Sequence, residues 1–158
     1  MNLIFFTLVP LSQVLLYLAS SAILKKPAEL VMVRESLNMS TTQFTTFQVI
    51  STILFSLISF IFMYFVYKIL IKLFSSNYNS DALFMSLVLA VVFSNGLGII
   101  MAISFKTIIP QLTAVIQTLV LVVLYFILSK ENDKSDNIGT IVLGVVAVVF
   151  NIIPSFFL

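Results

Sequence analysis

The sequence predicts an all-α fold, an integral membrane helical bundle of five transmembrane helices forming a single domain over residues 1–158. Three observations predict it. First, two long apolar runs, VISTILFSLISFIFMYFVY and ALFMSLVLAVVFSNGLGIIMAIS, carry no charge and are separated by one short polar stretch. A helix rises about 1.5 Å per residue, so each run can cross a hydrocarbon core of roughly 30 Å. Second, 61% of the residues are hydrophobic and only 9% are charged. An ordinary soluble domain carries about 25% charged residues, so this chain has too few to solvate a globular surface. Third, the mean hydropathy is +1.20 across the chain.

Span 1 covers residues 3–24. It holds Pro10, Ser12 and Gln13 near its middle, and proline there predicts a kink. Met1-Asn2-Leu3 lacks the basic start of a signal peptide, and the apolar run is longer than a signal h-region, so a retained span is expected. Lys25-Lys26 closes the span, and Pro27 suits the first position of a new helix.

Residues 27–47 form the longest connection. Leu30, Val33 and Leu37 recur at helical spacing while Glu29, Arg34 and Glu35 stay polar, which predicts one short amphipathic interfacial helix between spans 1 and 2. Ser40 followed by Gln43 has the form of a capping box, so span 2 can start within the headgroup region. A plain water-exposed loop is the alternative for this connection.

Span 2 covers residues 48–73. Tyr64, Tyr67, Lys68 and Lys72 near its end read as lipid headgroup or interface anchors, the lysines snorkelling towards water from one helix face. The next gap has turn chemistry, with Asn79 or Ser80 as helix cap and Asp81 in the first turn. Span 3, residues 82–104, carries Ser94-Asn95-Gly96-Leu97-Gly98 at its centre. Asn95 is costly against lipid and is expected to face another helix, while Gly96 and Gly98 permit close backbone approach or a bend.

A tight connection with Lys106 and Pro110 makes spans 3 and 4 antiparallel neighbours. Span 4, residues 112–129, has Gln117 as its inner polar residue. Residues 130–137, KENDKSDN, read as a solvated loop. Glu131, Asp133 and Asp136 lack the glycine and terminal glutamate of a calcium loop. Span 5, residues 138–158, carries Gly139 and Gly144 as a small-residue groove, with Asn151 and Pro154 further on.

Positive charge does not orient the bundle. The first and third connections hold Lys25, Lys26, Arg34 and Lys106; the second and fourth hold Lys68, Lys72, Lys130 and Lys134, a tie of four against four. A net charge of +2 without a basic stripe gives no nucleic-acid footprint, so no nucleic-acid partner is expected.

The chain has no cysteine and no histidine, so thiolate and imidazole chemistry are excluded. Its six acids fall in connections or at helix ends. No phosphate loop, zinc-protease helix or nucleophile elbow occurs. The sequence therefore predicts no catalytic residue, cofactor or metal site, and no enzyme. Proton-driven transport is disfavoured too, because such proteins place ionisable groups inside the membrane. What remains is a set of interhelical polar contacts, Asn95, Gln117 and Asn151.

RESLNMSTTQFTTFQVI before span 2 and YKILIKLFSSNYNSDALFMSLVLAVVF across the central hairpin, with one span, a connection and then four close spans, resemble the bacterial branch of the Yip1-like family. The resemblance implies a cytosolic N-terminus, the first connection outside, and a non-enzymatic protein that works through partners. Eukaryotic members of that family act in vesicle traffic with small GTPases, and some bacterial members accompany ABC-type exporters. The expected function is an accessory or scaffolding subunit of a membrane complex, an exporter or toxin-defence system, in a bacterial cytoplasmic membrane. Its partners would be the bilayer and a membrane protein or further copies of the chain. The alternative is a small oligomeric transporter or channel subunit with a polar path through Asn95, Gln117 and Asn151. A composition rich in Phe, Ile, Leu, Asn and Lys points to an AT-rich bacterial gene.

Overall fold

The computed structural model describes residues 3–24, 28–76, 78–130 and 136–157. Its elements are α1 (Leu3–Ile23), α2 (Ala28–Ser36), α3 (Thr41–Phe74), α4 (Ser80–Phe105), α5 (Pro110–Leu128) and α6 (Asn137–Ala147), then a π-helical turn (Val148–Ile152) and α7 (Ile153–Ser155). The described residues include no strand. The protein is all-helical, and five helical stretches are long and apolar enough to span a membrane: α1, α3, α4, α5, and α6 with its continuation to Ser155.

Local chemistry sets the helix ends. Asn38 adopts a left-handed backbone, φ 52°, just beyond α2, a conformation asparagine tolerates better than most residues. Ser40 then caps α3: its hydroxyl accepts from the Gln43 N–H at 3.3 Å, and the Gln43 side chain accepts from the Ser40 N–H at 2.9 Å. This capping box starts the helix at Thr41 rather than near Gln48, so the interfacial helix is confined to Ala28–Ser36. At 34 residues, α3 is about 51 Å long and exceeds a bilayer core of roughly 30 Å. Asn79, not Ser80, caps α4, its side-chain oxygen accepting from the Asp81 and Ala82 N–H groups at 3.1 and 3.0 Å. Pro110 opens α5, where its missing N–H costs nothing. Pro27 lies outside the described residues.

The last span is not a uniform α-helix. Pro154 has no N–H, and in a regular helix its ring would press on the carbonyl four residues back. The turn before it widens, with the Ile153 N–H donating to the Val148 carbonyl five residues back. This π turn shifts the phase of the residues that follow it.

The bundle is organised around α4. Half of its most apolar stretch is buried, against 6% for α1 and for α3. α1 and α5 flank α4, while α3 packs on α1 and α6. Lipid tails are as apolar as leucine, so close packing rather than water exclusion drives these contacts. On α4, Ala82, Ser86, Ala90, Ser94, Gly98 and Ala102 recur every fourth residue and are all buried. The result is one smooth ridge along which neighbouring helices approach. A Cβ on Gly98 would lie 2.9 Å from a Leu16 methyl of α1, whereas Gly96 faces open space. Leucine in place of Ala90, which is fully buried, is therefore expected to cost about 2 kcal/mol by overpacking; unfolding in mixed micelles measures it. Edge-to-face ring pairs add a seam across α1, α3 and α4: Phe6–Phe60 at 6.0 Å, Phe60–Phe84 at 5.8 Å and Phe84–Tyr64 at 5.8 Å.

Two expectations are corrected. Asp136, read as part of a solvated loop, is only 2% exposed. It caps α6 through the Gly139 N–H at 2.8 Å and accepts from the Ser75 and Tyr125 hydroxyls at 2.5 and 2.6 Å. Glu131 and Asp133 lie outside the described residues. Tyr67, read as an interface anchor, is fully buried. It shares one helix face with Phe60 and Ile71, and that face packs inside the bundle.

Candidate functional site

The polar residues of α3 form a stripe. Gln48 is three and four residues from Ser51 and Thr52, Thr52 four from Ser56, and Ser56 three from Ser59, so the five line one broad face. On α1, Gln13 and Tyr17 are four residues apart and face that stripe. Asn95 of α4 and Gln117 of α5 complete a cavity of about 550 Å³ between the helices. Among the described residues, no Asp, Glu, Lys or Arg lines it.

A second, smaller pocket of about 280 Å³ lies where the end of α1, α2 and the start of α3 meet. Tyr17 and Gln48 line both spaces. The Tyr17 hydroxyl donates to the Gln48 side-chain oxygen at 2.5 Å, so the pair forms the partition between them. Among the described residues, Arg34 is the cation that lines the outer pocket, and it is already engaged with Thr41 at 3.0 Å and Glu35 at 3.5 Å.

Within the cavity, polar groups differ in how they are satisfied. Asn95 donates to the Ser12 hydroxyl at 2.9 Å, and Ser12 in turn donates to the Val9 carbonyl at 2.9 Å. Thr52 and Ser56 donate back to carbonyls of their own helix, at 2.8 and 2.9 Å. The side chains of Gln13, Ser51, Ser59 and Gln117 have no protein hydrogen-bond partner among the described residues. Interhelical hydrogen bonds in membranes average about 0.6 kcal/mol, so Asn95→Ala is expected to weaken the bundle by about that much. A double-mutant cycle with Ser12→Ala checks it.

The three polar positions singled out from sequence do not meet at one place. Asn95 and Gln117 line the cavity. Asn151 lies at another interface, donating to the Thr118 hydroxyl of α5 at 3.3 Å and accepting from the Tyr67 hydroxyl of α3 at 3.4 Å. Of the four residues read as anchors, Lys72 is exposed and Lys68 places its ammonium 5.7 Å from the Tyr64 ring centre. The Tyr64 hydroxyl pairs with Ser80 at 2.8 Å. Tyr67 belongs to the core, as above. The sequence reading passed over Tyr17, Gln48, Ser51 and Ser59; their signal was the helical spacing of polar residues inside an apolar run.

No three His, Cys, Asp or Glu side chains come together among the described residues. No family model, no curated protein and no solved structure matches this chain.

Proposed function

We propose that this chain is a non-enzymatic, multi-pass protein that serves as an accessory or scaffolding subunit of a membrane complex. The most concrete form of the proposal is an exporter or toxin-defence complex in a bacterial cytoplasmic membrane. Membership of the Yip1-like family, with a cytosolic N-terminus, belongs to the same proposal and rests on the residues quoted above. The distribution of burial carries it. Only 6% of the apolar stretch of α1, and of α3, lies inside the bundle. α2 buries no residue and presents Met32 and Val33 outward. The surplus length of α3 stands outside the hydrocarbon core, where another subunit can meet it. A tagged chain drawn from its native membrane in mild detergent is expected to bring a membrane complex in stoichiometric amount. Recovery of the chain alone, as a defined oligomer, would refute the accessory role.

A second reading, a small transporter or channel subunit, is favoured by the cavity that holds Asn95 and Gln117 together. It predicts flux in liposomes that Asn95→Leu abolishes. Liposomes that conduct nothing with the unaltered chain would dispose of it.

A further inference from the structure

The cavity between α1, α3 and α4 poses a chemical problem that the chain does not solve itself. Gln13, Ser51, Ser59 and Gln117 face it without a protein partner among the described residues. At membrane depth an unsatisfied polar group costs several kcal/mol, because hydrocarbon offers no hydrogen bonds. Ser51 and Ser59 can fall back on carbonyls of their own helix, as Ser56 does, but the Gln13 and Gln117 amides need partners from outside the chain.

Charge narrows what can supply them. Among the described residues no charged side chain lines the cavity, and Arg34 lies beyond the Tyr17–Gln48 partition, already paired with Thr41 and Glu35. A phosphate or ammonium brought here would lose its hydration and gain no counter-ion. The occupant is therefore uncharged, with hydroxyl and carbonyl groups to meet amides and serine hydroxyls.

The route narrows it further. Towards α2 the Tyr17–Gln48 hydrogen bond, 2.5 Å long, stands between the cavity and the outer pocket. The side flank is open: Phe47 and Phe55 line the cavity and are 50% and 71% exposed. An occupant enters from the bilayer and leaves its apolar part against those rings. A volume of about 550 Å³ lies within the range of small-ligand sites, roughly 300–1,000 Å³. We propose that this lateral cavity binds a neutral, hydroxyl-bearing glycerolipid of the diacylglycerol type. Its glycerol and ester groups meet Gln13, Ser51, Ser59 and Gln117, and its acyl chains lie along Phe47 and Phe55.

The test uses the purified full-length chain in phosphatidylcholine nanodiscs with a diacylglycerol bearing a photoreactive group. Labelling is expected to saturate, to map to α3 between Gln48 and Ser59, and to be displaced by unlabelled diacylglycerol. Phosphatidylglycerol shares the acyl chains and glycerol but adds a charged phosphate, and it is expected not to compete. Combining Gln117→Leu with Ser59→Ala is expected to weaken binding by roughly tenfold or more, since each removes a hydrogen bond in an apolar setting. The competition arm needs no variant, so a misfolded double substitution leaves the proposal open to refutation. The chain has no native cysteine, which makes Ser59→Cys a clean reporter. Its reaction with a water-soluble, charged thiol reagent is expected to be slow. Labelling spread without saturation over outward positions such as Leu54 and Ile58, equal competition by phosphatidylglycerol, or fast reaction of the cysteine would each overturn the proposal. The last would show a water-filled path instead. None of these readouts depends on a protein partner, so the outcome stands apart from that of the pull-down.

Discussion

Replacing Asp136 by alanine is expected to destabilise the bundle by about 3 kcal/mol, combining the loss of a helix cap with a stranded, buried Tyr125 hydroxyl. One carboxyl group here holds three helix ends. It accepts from Ser75 at the end of α3, from Tyr125 near the end of α5, and from the Gly139 N–H in the first turn of α6. Its backbone carbonyl takes two more bonds, from the Thr140 N–H at 2.9 Å and the Thr140 hydroxyl at 2.6 Å. Tyr125 is fully buried, so its hydroxyl finds no water once the carboxyl is gone. Asparagine at 136 keeps the shape and one acceptor, and is expected to cost about half as much. Tyr125→Phe removes a single donor and is expected to cost about 1 kcal/mol. The double variant Asp136→Ala with Tyr125→Phe should lose less than the sum, because both changes break the same bond. Gly139 is tied to the same node: a Cβ there would overlap the Asp136 carboxyl group, so Gly139→Ala is expected to mimic the loss of the carboxyl. Equilibrium unfolding in mixed micelles, followed by far-UV circular dichroism, measures all of these. A loss below about 0.5 kcal/mol for Asp136→Ala would be that of an exposed surface position, and would return Asp136 to solvent.

The number of spans could be read from the sequence because length and apolarity report directly on the cost of crossing hydrocarbon. Capping could be read as well, since Ser40 with Gln43, and Asn79, act within a few residues of themselves. Which face of a span points inward was harder to read. In water the buried face is the apolar one, but in lipid both faces are apolar: Ile69 and Leu73 are 58% and 70% exposed while Ile71 between them is fully buried. Small size is the better guide, and the four-residue ladder from Ala82 to Ala102 marked the inward face of α4. The stripe from Gln48 to Ser59 likewise marked the cavity face of α3, but serines and threonines in a span satisfy themselves on their own carbonyls often enough to pass as neutral. Asp136 was misread because its neighbours in sequence are hydrophilic. Its partners Ser75 and Tyr125 come from other helices, and no local pattern reports that.

Tyr67 gives the second large effect, and it follows from the same distinction between composition and face. A tyrosine near the end of a span, one residue before a lysine, has the composition of an interface belt. If it stood among headgroups, Tyr67→Ala would change stability no more than Lys72→Ala, within about 0.5 kcal/mol. In the bundle Tyr67 is fully buried, on the same face as Phe60 at 5% and Ile71 at 0% exposed. That face of α3 meets α6 of the last span, and the π turn ahead of Pro154 carries Asn151, which meets the Tyr67 hydroxyl. Removing the ring leaves a cavity that close-packed helices cannot fill, so Tyr67→Ala is expected to cost about 3 kcal/mol. Tyr67→Phe keeps the ring and gives up only the bond to Asn151, for about 0.6 kcal/mol. The ratio of the two substitutions is the diagnostic. A large loss on alanine with a small one on phenylalanine fixes the contribution in the packing of the ring. Equal, small losses for Tyr67→Ala and Lys72→Ala would put the ring at the membrane surface and require the last span to pack against a different face of α3.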